Sequence, residues 1–96
     1  MDKEKILSLL RIYKIQNAEH FGVIRMGVFG SVARGTFKDG SDVDIVVELN
    51  KRNLLNRIGL KQSLEKHLGL PVDVISYREN LSPLLKTRIK RDVIYV

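Results

Sequence analysis

The stretch FGSVARGTFKDGSDVDIVV, from Phe29 to Val47, contains a turn and the strand around which the fold is organised. Side chains along a strand alternate between two faces. The apolar residues that point to one face are Val43, Ile45 and Val47. Asp42 and Asp44 share the other face, about 6.5 Å apart along the strand. The pattern predicts a strand over Asp42–Leu49, with its apolar side toward the core and two carboxylates on the opposite side.

The flanking sequence predicts two more strands and three helices. The strands are expected over Val23–Phe29 and Leu70–Ser76, and the helices over Lys3–Lys14, Asn53–Leu68 and from Ser82-Pro83 to about Arg91. Asp2 and Ser82 are the expected N-caps, and Gly69 should end the second helix in a left-handed conformation. The apolar residues expected to align on shared faces are Ile24, Met26 and Val28; Ile6, Leu9, Leu10 and Tyr13; and Leu54, Ile58, Leu60, Leu64 and Leu68.

The order of these elements predicts the sheet topology. A strand–helix–strand connection makes its two strands parallel and usually adjacent, whereas a short turn joins antiparallel strands. The predicted fold is therefore α/β, of the α+β kind, with a three-stranded mixed sheet in the order 1-2-3. Strands 1 and 2 are antiparallel, strands 2 and 3 are parallel, and the helices pack on one face. The chain, residues 1–96, is expected to form a single domain.

A third carboxylate is predicted to join the first two. In PVDVIS, Val72 and Val74 should face the helices, which turns Asp73 toward the face of Asp42 and Asp44. The antiparallel connection between the first two strands also brings the Gly30-Ser31 turn close to these acids.

Three clustered carboxylates repel one another and require a compensating charge. At 4 Å a pair of like charges costs about 4 kcal/mol at a surface-like dielectric constant. Mg²⁺ is held by one or two carboxylates together with substrate phosphates. Gly30 would let the backbone approach a ligand, Ser31 offers a hydroxyl at the start of a short helical turn, and Arg34 adds a guanidinium. This combination indicates phosphoryl or nucleotidyl transfer.

Composition limits the other classes of function. The chain has no cysteine, a net charge of +6 and no apolar run of membrane-spanning length. We therefore expect a cytoplasmic protein without a membrane partner and with anionic ligands. The basic run of Lys86, Arg88, Lys90 and Arg91 is typical of a solvated helix face and leaves contact with nucleic acid open.

The motif Gly30-Ser31, ten residues, then Asp42-Val43-Asp44 matches the pattern G-S-x10-D-x-D. Together with SDVDIVVE and VDVIS, it resembles the minimal nucleotidyltransferase (MNT) branch of the polymerase-β-like superfamily. Many members of that branch are antitoxin partners of HEPN ribonuclease toxins.

The resemblance implies a mechanism and a partner. Asp42, Asp44 and Asp73 would be the catalytic acids and the ligands of two Mg²⁺ ions, with ATP as the substrate. Gly30, Ser31 and Arg34 would bind the nucleotide. The acceptor implied by the family is a tyrosine of a HEPN-type toxin, which receives AMP.

Two alternatives remain open at this point. The chain could neutralise its partner by binding alone, with little or no turnover. It could also modify a small molecule, in which case a partner subunit would have to complete the acceptor pocket.

Overall fold

The protein consists of one mixed sheet with helices on both sides. The computed structural model describes residues 2–51, 53–78 and 81–96. In chain order, the elements are α1 (Lys3–Phe21), β1 (Val23–Phe29), α2 (Gly30–Arg34), β2 (Val43–Leu49), α3 (Leu54–Leu68), β3 (Val72–Ser76), α4 (Pro83–Asp92) and β4 (Ile94–Tyr95). Within the described residues, no helix is both long enough and apolar enough to cross a membrane.

Across the residues described, the sheet has four strands, in the order β3-β2-β1-β4. The antiparallel pairing of β1 with β2 and the parallel pairing of β2 with β3 are as predicted. The prediction of only three strands was wrong, because β4 pairs antiparallel with β1 through Gly27↔Tyr95 and Val28↔Ile94. A strand of two residues is too short to show any alternation, so no periodicity predicts it.

The two faces of the sheet carry separate apolar clusters. The larger cluster joins the sheet to α1 and α3 and includes Ile6, Leu10, Tyr13, Met26, Val28, Val43, Ile45, Val47, Leu60, Leu64 and Val74. The smaller cluster, on the other face, joins Phe29 and Val46 to Ile89 of α4. The prediction that all helices pack on one face was therefore wrong. Val46 lies on the same face of β2 as Asp44, and α4 covers part of that face.

The predicted caps are confirmed. Asp2 accepts a hydrogen bond from the Lys5 amide at 2.8 Å, and Ser82 accepts one from the Leu85 amide at 3.2 Å. Gly69 ends α3 with a φ of 69°. These side chains and the left-handed glycine satisfy backbone groups that a helix end leaves unpaired.

Helix α1 extends beyond the predicted end at Lys14. It continues to Phe21 and ends at Gly22, which has a φ of 70°. Tertiary contacts hold this extension in place, because the Asn56 side chain donates to the Phe21 carbonyl at 2.8 Å and the Asn50 amide donates to the Gly22 carbonyl at 2.8 Å. The apolar periodicity of the sequence cannot predict these hydrogen bonds between distant residues.

Three residues expected on buried faces are exposed. Ile24 is 54% exposed, because the register of β1 against β2 is irregular between Val23 and Arg25. Leu54 and Ile58 are 62% and 41% exposed, because the first turns of α3 extend past the apolar cluster, which begins at Leu60.

Gly27 should be required for the docking of β4. A Cβ atom at this position would lie 2.9 Å from the Ile94 carbonyl oxygen and 2.9 Å from Cγ2 of Val93. We expect Gly27→Ala to destabilise the protein by about 1–3 kcal/mol, as overpacking usually does. The backbone amide of Val96, which donates to the Met26 carbonyl, should also exchange faster.

Gly59→Ala is the matched control for this prediction. Its Cβ would meet only a ring carbon of Phe21, at 3.5 Å, and the residue lies inside α3. Alanine there should stabilise the protein by about 0.5–1 kcal/mol. Urea unfolding measures both changes in free energy, and two changes of the same sign would contradict the role of Gly27.

Candidate active site

The turn after β1 lies directly against the acidic strand. Phe29, the last residue of β1, pairs in register with Asp44 of β2. Gly30 follows with a φ of 68°, and α2 then runs to Arg34. A Cβ on Gly30 would collide with the Asp44 carboxylate, whose Cγ would be only 3.3 Å away. The missing side chain at position 30 therefore provides the space that the Asp44 carboxylate occupies.

The three predicted acids lie at the starts of β2 and β3. Asp44 pairs in register with Asp73 on the neighbouring parallel strand, and Asp42 precedes β2 by one residue. Asp44 is partly buried, whereas Asp42 and Asp73 are exposed. The predicted convergence of Asp44 and Asp73 on adjacent strands is therefore seen.

Electrostatic interactions link the three acids. Burial is the main cause that raises the pKa of Asp44 above its ordinary value, and the charge of Asp73 raises it further. The guanidinium of Arg88 opposes this rise, Asp42 adds to it, and Arg34 opposes it. Negative charge at Asp44 is thus disfavoured in the protein alone and would be favoured by a bound cation.

The acids do not form a preassembled metal site. Among residues 2–51, 53–78 and 81–96, no three or more His, Cys, Asp or Glu side chains are arranged as a group that could hold a metal ion. The ligand roles given to Asp42, Asp44 and Asp73 therefore stay predictions. So do the nucleotide-binding roles given to Gly30, Ser31 and Arg34.

Arg34 is held in position by α4. Its Nη1 donates to Oδ2 of Asp92 at 2.8 Å, and Arg91 donates to both carboxylate oxygens of Asp92 at 3.0 Å. The Asp92 side chain is only 6% exposed. The end of α4 is thereby tied to the helix that follows the Gly30-Ser31 turn.

Arg88 is a component of the site that sequence reasoning missed. The sequence places it only in the basic run of α4, which is typical of a solvated face and leaves contact with nucleic acid open. Its charge nevertheless acts on Asp44, since α4 packs on the acidic face of the sheet. The apolar residue Val46, on the same face as Asp44, was the available signal that a helix would cover part of this face.

Asp92→Asn should weaken the fold most at neutral pH. Hydrogen bonds from Arg91 and then Arg34 hold the pKa of Asp92 below its ordinary value. The stability that this carboxylate contributes is complete above its unfolded-state pKa of about 3.9, and it is lost as the pH falls through the lower folded-state value. Urea unfolding of both proteins from about pH 7 to pH 2.5 should show the two stabilities converging in acid.

The exposed Asp39→Asn variant controls for the removal of one negative charge. A difference between wild type and Asp92→Asn that stays constant down to the lowest pH would contradict the role of these hydrogen bonds.

This combination of sheet topology, glycine turn and paired aspartates defines a class of protein. The family model of the nucleotidyltransferase domain matches residues 10–96. The chain belongs to this family, and it is an enzyme of the minimal nucleotidyltransferase type.

Individual proteins of known sequence or structure are also similar to this chain. The protein adenylyltransferase MntA of Thermococcus cleftensis is 44% identical over 94 residues, which are 97% of this chain and 94% of that protein. The solved structure of a candidate minimal nucleotidyltransferase has a TM-score of 0.80 and 38% identity, and covers 98% of this chain and 95% of that chain. A toxin–antitoxin structure with AMP-PNP has a TM-score of 0.71 and 27% identity, and covers 99% of this chain and 72% of that chain.

Proposed function

We propose that the protein transfers AMP from ATP to a tyrosine of a partner protein, a HEPN-type RNase toxin. The observation that carries this proposal is the alignment of Asp44 with Asp73 on adjacent strands, beside the Gly30 turn. The relative named a protein adenylyltransferase supports AMP as the transferred group. The toxin–antitoxin structure with AMP-PNP supports an adenine nucleotide and a toxin partner.

The acids have the right chemistry to hold Mg²⁺. Their oxygens are the hard ligands that this ion prefers, and no ion pair among the described residues neutralises Asp42, Asp44 or Asp73. One or two carboxylates plus substrate phosphates suffice for Mg²⁺, so a preassembled set of three is not needed. When two ions are bound, they supply charge stabilisation and lower the pKa of the attacking hydroxyl.

The residues of this chain would orient the reaction. Gly30 lets the backbone approach the triphosphate, Ser31 provides a hydroxyl, and Arg34 presents a guanidinium fixed by Asp92. The tyrosine oxygen forms a bond to the α-phosphorus while the bond from that phosphorus to the bridging oxygen breaks. Pyrophosphate leaves with those electrons, and the phenolic proton passes to Asp73.

Two labelled forms of ATP test this proposal. With Mg²⁺ and the purified partner, ATP labelled at the α-phosphate should label the partner, and ATP labelled at the γ-phosphate should not. The label should disappear when the acceptor tyrosine of the partner is replaced by phenylalanine. Absence of α-label with folded protein would overturn the proposal, and γ-label would indicate phosphorylation instead.

A further inference from the structure

The outer edge of β3 lies in a groove that begins at the acidic site. Strand β3 is the last strand on its side of the sheet. Two adjoining depressions of about 260 and 330 Å³ follow it, and both are lined by Arg57 and Ile75. We call this the β3-edge groove; the lining residues that matter here are Arg57, Lys61, Asp73, Ile75, Arg78 and Leu85.

The backbone of the groove can pair with another strand. The Tyr77 amide donates to the Val47 carbonyl at 2.8 Å, and the Pro71 carbonyl accepts from Val43 at 2.9 Å, so odd-numbered residues of β3 face β2. Residues 74 and 76 therefore direct their N–H and C=O groups outward. No strand among the described residues pairs with this edge. An open edge of this kind binds extended peptides by adding them to the sheet.

The charged residues that are described along the groove are predominantly basic. Lys61 pairs with Glu65 at 3.2 Å, whereas Arg57 and Arg78 have no ion-pair partner in the part of the chain that is described. Among the described residues that line the two depressions, Asp73, at the catalytic end, is the only acidic one. A bound molecule that carries negative charge at some distance from its own reacting group would complement this distribution of charge.

The chemistry of the lining favours peptide over nucleic acid. None of the described residues that line the two depressions is aromatic. Proteins that bind single-stranded nucleic acid usually stack the bases on aromatic side chains. Backbone groups at alternate residues of an open edge instead match the hydrogen-bonding repeat of an extended peptide.

We propose that an acidic, extended segment of the acceptor protein binds along β3 as a fifth strand. This inference rests on the proposed function and names the substrate chemistry of the same site. The acceptor hydroxyl lies at Asp73, and acidic side chains of the segment contact Arg57 and Arg78. At about 3.3 Å per residue, those acidic side chains lie roughly two to five residues from the acceptor.

Peptide binding without nucleotide tests the groove separately from catalysis. The probe is a fluorescein-labelled peptide of about ten residues, with one tyrosine and roughly four glutamates at the stated spacing, and its control carries glutamine at those positions. By fluorescence anisotropy with the full chain, the acidic peptide should bind about tenfold more tightly. Arg57→Glu combined with Arg78→Glu should remove this preference. Lys5→Glu combined with Arg11→Glu, which makes the same charge change on exposed positions of α1, should preserve it.

Backbone pairing is tested on the peptide, which leaves the protein unchanged. N-methylation of alternate amides on one edge of the peptide should abolish binding, and methylation of the opposite edge should not. Equal binding of the acidic and glutamine peptides, or tolerance of methylation on both edges, would overturn the proposal. Tighter binding of an oligouridine that is lost in the Arg57→Glu, Arg78→Glu protein would assign the groove to nucleic acid. If the partner is labelled but the acidic peptide is not preferred over the glutamine peptide, the proposal for the β3-edge groove is overturned and the proposed function stands.

Discussion

Asp44→Asn should strongly reduce nucleotidyl transfer and leave the protein at least as stable as the wild type. The expected loss of rate is about 10²- to 10³-fold, the scale seen when a group that stabilises developing charge is removed. Stability should rise at neutral pH, because burial and the charges of Asp73 and Asp42 raise the pKa of Asp44 and disfavour its ionised form. Incorporation of α-labelled AMP and urea unfolding measure the two effects.

The direction of the stability change distinguishes loss of a catalytic group from misfolding in this variant. A carboxyl with a raised pKa destabilises the fold above its unfolded-state pKa of about 3.9, so the gain in Asp44→Asn should vanish as the pH falls below that value. Loss of activity through misfolding would instead lower stability at every pH.

Glu48→Gln is the matched control. Glu48 lies on the same face of β2 as Asp44, about 13 Å further along the strand, and it pairs with Arg25 at 3.4 Å. The control should retain activity. If Asp44→Asn transfers AMP at close to the wild-type rate, the catalytic assignment is wrong. If Asp42→Asn and Asp44→Asn lose transfer but still neutralise the partner, binding alone accounts for the biological effect.

Gly30→Ala should cost both activity and stability. The left-handed backbone of Gly30 disfavours any side chain by about 1–2 kcal/mol. The added methyl group would also displace the Asp44 carboxylate, and a displacement of about 1 Å in a catalytic group can cost about 10²-fold in rate. The rate of AMP transfer and the free energy of unfolding are the two measurements.

Gly35→Ala separates the two causes. Gly35 has a φ of 76°, similar to that of Gly30, but a Cβ there would meet nothing within 4 Å. This variant should lose about 1–2 kcal/mol of unfolding free energy through backbone strain, the penalty expected for that conformation. It should keep most of its activity. Equal losses of activity in the two variants would show that backbone strain, rather than contact with Asp44, determines the rate.

The central part of the fold could be predicted from local sequence patterns. The alternation along β2 placed Asp42 and Asp44 opposite the core, and the strand–helix–strand order placed Asp73 beside them. Both inferences depend on short-range periodicity and on a strong topological rule, so they required no knowledge of tertiary contacts.

The remaining features depend on contacts between distant parts of the chain. The hydrogen bond from Arg34 to Asp92 joins residues 58 positions apart, and β4 exists only because it pairs with Gly27 and Val28. The position of α4 on the acidic face, which brings Arg88 to the site, follows from the packing of Ile89 on Phe29 and Val46. Sequence periodicity does not indicate on which side of a sheet a helix packs.

The pairing of Asp44 with Asp73 also affects how the chain folds. The two strands become neighbours only after the connection through α3 has closed, so this step brings like charges together. The acids to which we assign the catalytic role therefore oppose one of the assembly steps of the fold. Refolding should be faster in concentrated salt, which screens that repulsion, and a nucleotide with Mg²⁺ should act chiefly by slowing unfolding.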